Sequence, residues 1–146
     1  MKSTPGPGAV TVELEVPFHD VDSLQVVWHG WYVKYMEVSR TALLRAGRVD
    51  AADMRALGFR FYVIETHLRH LSPATYGDRL RVTSWFTEAE NRIGISCVIQ
   101  NLTTRKRCAL GSSVLVTTDD AGQLCYETPR PVLDRVVTQG VPARSP

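Results

Sequence analysis

Cysteine is scarce in this 146-residue chain and shows no useful pattern. Cys97, Cys108 and Cys125 are odd in number and form no C-x-x-C pair, which argues against a disulfide framework or a zinc knuckle. The expectation is a reduced, cytoplasmic protein with buried or semi-buried thiols. Net charge is also nearly absent. Seventeen Lys and Arg against fifteen Asp and Glu leave +2, too little to hold nucleic acid by bulk electrostatics. No apolar run approaches the ~20 residues needed to span a bilayer. The opening "MKSTPGPGAV" lacks the apolar core of a secretory signal, and its Pro and Gly predict a loose arm over residues 1–9. No G-x-S-x-G occurs, which argues against a serine hydrolase of the α/β type. G-x-G-x-x-G and P-loop motifs are missing too. There is no internal repeat, no low-complexity segment and no sign of a second domain.

What is present is a composition that is 44% hydrophobic and 22% charged, enough for one domain with a real core. Val10, Val12, Leu14 and Val16 alternate with Thr11, Glu13 and Glu15, the period of a half-buried strand that Pro17 ends. From about Gly30 to Ala46 the spacing changes. Tyr32, Tyr35, Met36, Ser39, Leu43 and Leu44 fall at three- and four-residue steps, predicting an amphipathic helix stopped at Gly47. A shorter helix is expected in "DAADMRALG", capped by Asp50 and stopped by Gly58.

The rest reads as strand and turn. "FRFYVIETHLRHLSP" is long enough for one strand with a bulge. Leu80, Val82, Ser84 and Phe86 share one face of the next, opposite Arg81, Thr83 and Trp85. Ile93, Ile95, Cys97 and Ile99 share a face of a third, "TTRKR" is a polar hairpin turn, and "CALGSSVLVTT" is a fourth strand closed by "DDAG". A last helical turn is expected in "PVLDRVVTQ", and 139–146 read as a tail. One helix cannot cover both faces of such a sheet. The expected class is therefore α+β, a five- to six-stranded antiparallel sheet around one long central helix, in a single domain over 10–138. Exposed faces and edges then call for a homodimer or homotetramer.

The chemistry concentrates in "FHDVDSLQVVWHGWYVKYMEVSR". A helix starting near Trp28–Gly30 presents amide N–H groups without partners and the positive end of its dipole. Such a terminus suits an oxygen that gains negative charge during reaction. A carboxylate in the preceding loop, Asp22, can reach the same point as base or nucleophile, and Gly30 allows close approach of a carbonyl to the backbone. By itself, an Asp before a helix is more often a cap or turn former.

The same stretch resembles the signature of the 4-hydroxybenzoyl-CoA thioesterase-like branch of the hotdog superfamily, roughly D-x-D-x-x-G-x-V-x-H-x-x-Y-x-x-x-x-E-x-x-R. Asp20, Asp22, Val27, His29, Tyr32, Glu37 and Arg40 match in register, and "SPATYGDRLRV" (72–82) resembles that family's Pro-Ala…Gly-Asp turn. The resemblance runs from about Val10 to Arg130. It implies a hotdog fold and hydrolysis of acyl-CoA or acyl-carrier-protein thioesters without metal or cofactor. It puts the catalytic carboxylate at Asp22 and the oxyanion-binding amide at His29, whose imidazole is a candidate for orienting substrate or relaying a proton. Gln25, Val27, Trp28, Gly30 and Tyr32 are the implied substrate-binding positions, in a site built at the subunit interface. Asp20 is expected to shape the loop, and Glu37 to pair with Arg40. One departure is Gln25, where many members carry Gly; it either offers an amide to the substrate or is a solvent-facing loop residue.

Other candidates are weaker. His67 and His70 are separated by an odd number of strand positions, so they face apart and share no metal. Tyr62 and His67 are candidates for lining an acyl pocket across the interface. Arg105–Arg107 suit CoA phosphates or an acidic carrier protein, or form a solvated turn. The competing activities are a hotdog dehydratase or hydratase of hydroxyacyl thioesters, and a non-catalytic acyl-thioester binding module.

Overall fold

The structure is a computed structural model that describes residues 1–141; from position 142 onward the expected tail lies outside the described residues. The elements run β1 Val10–Glu15, a 3-10 turn Phe18–Asp20, α1 Trp31–Ala46, α2 Ala51–Leu57, β2 Phe59–His70, β3 Arg79–Glu88, β4 Ile93–Asn101, β5 Lys106–Asp119, β6 Leu124–Cys125 and α3 Arg130–Val137. Strands β1 to β5 form one sheet in the order β1-β3-β4-β5-β2, and β6 pairs β5 at Thr117 and Thr118 on the side opposite β2. All pairings are antiparallel. The expected α+β architecture is present, with β6 as a two-residue strand that alternation over so short a span does not reveal.

The periodicities fall where the sequence put them. Tyr32, Tyr35, Met36, Ser39 and Leu43 are the buried face of α1. Tyr32, Tyr35 and Met36 meet Leu80, Val82, Cys97 and Ile99 from the sheet, and Leu43 meets Phe86, Ile93 and Ile95. Each large apolar side chain buried this way contributes about 1.5–3 kcal/mol. The bulge in β2 lies between Val63 and Glu65 and takes Ile64 out of the register. α2 begins with a reciprocal cap between Asp50 and Asp53 and ends at Gly58, whose φ of 86° is left-handed.

Two features depart from simple alternation. Trp85 lies on the sheet face away from α1, yet is 2% exposed. The arm, expected to be loose, lies against it: a Cβ on Gly6 would sit 2.8 Å from the Trp85 ring. The same arm meets Gln139 and Gly140 at the end of α3 through Gly8 and Pro7. Second, β2 is a long edge strand with Tyr62, Val63 and Ile64 exposed. Among the described residues no helix is long and apolar enough to cross a membrane.

Candidate active site

The loop from Pro17 to Gly30 is held by three local devices. Asp20 is completely buried. Its carboxylate accepts a hydrogen bond from the Tyr35 hydroxyl at 2.6 Å and one from Lys34 Nζ at 3.3 Å. Burial, and then the hydrogen bond to Asp20, push the Tyr35 phenol far up from its usual value. The Asp20 carbonyl meanwhile accepts the Trp28 amide at 3.0 Å, and Val21 and Val27 form an isolated antiparallel bridge. Asp20 thus ties the start of the loop to α1 and to the residue before His29, the shaping role the sequence suggested.

The second device is the segment after β2. Val27 donates its amide to Ala74 O at 2.8 Å, and Ala74 donates its own to the Tyr32 hydroxyl at 3.3 Å. Asp78 closes this segment by accepting the Thr75 amide and the Asn101 side-chain amide, at 2.9 and 2.7 Å. The Pro-Ala…Gly-Asp turn is therefore the wall against which the D-x-D loop is folded. The third device is the tip. Asp22 Oδ1 accepts the Leu24 amide at 2.8 Å, the Gln25 amide reaches the Asp22 carbonyl at 2.9 Å, and Gln25 sits at φ 64°. That is left-handed backbone, which explains why glycine suits the position.

The predicted residues divide between two cavities of the single chain. Asp22 and Gln25 line one of about 660 Å³ with Phe18, Val21, Thr75 and Tyr76. Asp22 is half-buried, and only its Oδ1 is committed to the turn among the described residues. Val27, His29 and Tyr32 line another of about 290 Å³ with His70, Ser72 and Pro73. His29 is exposed, and its amide donates to no acceptor among the described residues. Trp28 is 44% exposed, and its ring lies over Gly30, where an added Cβ would collide with it. The space above Gly30 is thus filled by indole.

His70 is the residue that the sequence weighed only as half of a metal pair and that the structure brings to the site. Its ring lies 6.5 Å from that of His29 and 5.2 Å from that of Tyr32, both edge-on. Its only signal was its place just before the Ser-Pro turn. His67 points elsewhere, toward Glu65 at 3.8 Å, so the two histidines do face apart. Tyr62 and His67 both lie exposed on β2. Glu37 and Arg40 pair at 3.8 Å.

The chain matches the thioesterase-like superfamily over residues 16–138. It is 30% identical over 76 residues to "Putative acyl-CoA thioesterase YneP" of Bacillus subtilis (strain 168), covering 52% of this chain and 55% of that protein. It is 29% identical over 128 residues to "Putative esterase sll0410" of Synechocystis sp., covering 86% of this chain and 77% of that one. The chain thus spans about half of the first relative and three quarters of the second. Among solved structures, 1,4-dihydroxy-2-naphthoyl-CoA thioesterase from Synechocystis superimposes with a TM-score of 0.78 at 19% identity, over 92% of this chain and 99% of that one. This last likeness establishes the shared hotdog fold. With a match from residue 16 to residue 138 and that fold beneath it, the chain belongs to the thioesterase-like superfamily.

Proposed function

We propose that this protein is an acyl thioesterase that hydrolyses acyl-CoA or acyl-carrier-protein thioesters to free acid and thiol, with Asp22 as its carboxylate and the His29 amide as its oxyanion donor. The observation that carries the reading is the unengaged His29 amide, next to the start of a sixteen-residue helix and seven positions after an acid with a free oxygen. Negative charge developing on the thioester oxygen is stabilised there by a donor and a dipole that need no reorganisation. One such donor is worth about 3–4 kcal/mol of barrier.

Asp22 either attacks the carbonyl carbon, forming a mixed anhydride and expelling thiolate, or takes a proton from a water that attacks. In both routes the electron pair of the broken C–S bond leaves on sulfur, and water supplies the hydroxyl of the acid. The catalysis draws on the chain's own groups, without metal or cofactor. Gln25, Val27, Trp28 and Tyr32 border the reacting carbonyl and acyl group, and Gly30 leaves room for the Trp28 ring beside them.

We assign the working form to a homo-oligomer, dimer or tetramer, with the site at the subunit interface. Two facts support this. The two halves of the site open into separate cavities in a single chain. The exposed β2 edge carries Tyr62, Val63 and Ile64 in a form suited to pairing with a second copy. In an antiparallel pairing the first half of one β2 lies beside the last half of the other, near His70.

The test is thiol release from short, long and aryl acyl-CoAs and from acyl-carrier proteins, with Asp22→Asn as the control. The asparagine keeps an oxygen acceptor for the Leu24 amide, so the turn survives while the basic or nucleophilic oxygen is lost. Turnover is expected to drop by about 10²–10⁴-fold at unchanged stability. Turnover near that of the wild type would remove Asp22 from the mechanism.

A further inference from the structure

We propose that a basic cavity at the β4–β5 turn seats the phosphates of a CoA substrate. This rests on the thioesterase reading and narrows it from carrier protein toward CoA. The cavity has a volume of about 440 Å³, and Arg81, Gln100, Asn101, Arg105, Lys106 and Arg107 line it, with no carboxylate among the lining residues. Arg81 already pairs with Glu13 at 3.0 Å. Arg105, Lys106 and Arg107 make no ion pair among the described residues. Three uncompensated cations facing one hollow repel each other until an anion joins them.

The platform beneath them is rigid. Asn101 is 1% exposed. Its side-chain oxygen accepts the amides of Thr103 and Thr104 at 2.9 and 3.1 Å, and its side-chain nitrogen donates to Asp78 at 2.7 Å. The Thr103 hydroxyl in turn accepts the Arg79 amide at 3.0 Å. Arg105 is held at φ 63°, where glycine would be the unstrained choice. Arg81, Gln100 and Arg107 are direct neighbours across three strands, since Arg81 pairs with Gln100 and Gln100 with Arg107. Guanidinium groups flanking the Gln100 amide give phosphate oxygens donors from three adjacent strands.

Hydrogen bonds also tie the cavity's lining to the candidate site. Ser72 borders the His29 cavity, and its hydroxyl donates to the Arg107 carbonyl at 2.6 Å. The amides of Leu71 and Ser72 donate to the next carbonyl, that of Cys108. Residues 71–73 are therefore a shared wall, with the His29 cavity on one side and the basic turn anchored to the other. A pantetheine arm lying over this wall joins a thioester at His29 to phosphates at the turn. The ligand is a compact polyanion and not the broad acidic face of a carrier protein. Glu13 already takes up Arg79 and Arg81 at 3.6 and 3.0 Å, which leaves a small cluster of free charge.

The experiment compares wild type with the Arg105→Gly/Lys106→Ala/Arg107→Ala variant on one acyl group carried by CoA, by N-acetylcysteamine and by a carrier protein. Expected for the variant are a KM for acyl-CoA raised about tenfold or more, unchanged kcat, and unchanged kinetics on the N-acetylcysteamine thioester. Adenosine 3′,5′-bisphosphate should compete with acyl-CoA in the wild type and lose about tenfold in the variant. An acyl-CoA KM that stays put, one that moves equally for N-acetylcysteamine, or an effect confined to the carrier protein overturns the proposal. If the wild type hydrolyses no thioester, the thioesterase reading fails separately. Calorimetric binding of adenosine 3′,5′-bisphosphate then decides the seat: binding weakened tenfold in the variant upholds it, and no binding by the wild type rejects it.

Discussion

Tyr35→Phe is the substitution whose effect the structure fixes most closely. It removes one hydroxyl, the donor that meets Asp20 Oδ2 at 2.6 Å, and changes nothing else in the shape of the core. Both residues are buried, at 2% and 0% exposure. A hydrogen bond to a charged group contributes about 1.5–3 kcal/mol. Lys34 stays at 3.3 Å, but it is half exposed, so it offsets little of the loss. The expected cost is about 2 kcal/mol, which for a chain of this size lowers Tm by about 4–8 °C. Asp20→Ala should cost at least as much, because it leaves the phenol buried without an acceptor. The Tyr35→Phe/Asp20→Ala double variant should be less unstable than the sum, with a coupling of about 1.5 kcal/mol or more. Urea denaturation at fixed protomer concentration measures all four corners of the cycle. The pH dependence has a definite sign. The folded phenol titrates above its unfolded value, so its contribution is complete below about pH 10 and declines as pH rises past that point; the variant should lose this alkaline decline. A coupling below about 0.5 kcal/mol would show that Asp20 does not anchor the loop through Tyr35.

Three further outcomes follow from local geometry. Asp50→Ala should destabilise by about 1 kcal/mol, since it removes the α2 cap and the 2.9 Å contact with Arg45. The Ala51 amide holds the Asp50 carboxyl below its usual range, so this contribution is present above about pH 4 and lost as pH falls through the lower folded value, and acid-titration calorimetry should show it. Gln25→Gly should stabilise by about 0.5–1 kcal/mol, as relief of left-handed backbone exceeds the added unfolded-state entropy; equal or lower stability in denaturant would refute the strain. Burial pushes the Cys97 thiol up to about 12 and Cys108 to about 11, so under native conditions a thiol reagent should modify Cys125 well before either. Simultaneous modification of all three would contradict the burial.

Much of this protein was legible because its signals are local. The alternation of Val10 to Val16, the three- and four-residue steps from Tyr32 to Leu43, and the Asp50 and Gly58 boundaries each depend on a chain's own period or cap. They appear in the fold within a residue of where the sequence put them. The D-x-D loop was equally legible as a unit, because its fixed offsets are a property of the chain. Tertiary structure alone decided what those residues touch. Nothing in the spacing says that Asp20 is buried under Tyr35 while Asp22, two positions on, faces a cavity, or that His70 comes edge-on to Tyr32 from thirty-eight residues away. Nor does alternation foresee that Trp85, on the face away from α1, is buried because the Gly-containing arm lies over it. Period reports which way a side chain leaves the backbone; what covers it depends on contacts between distant segments, and those form only when the sheet closes on the helix.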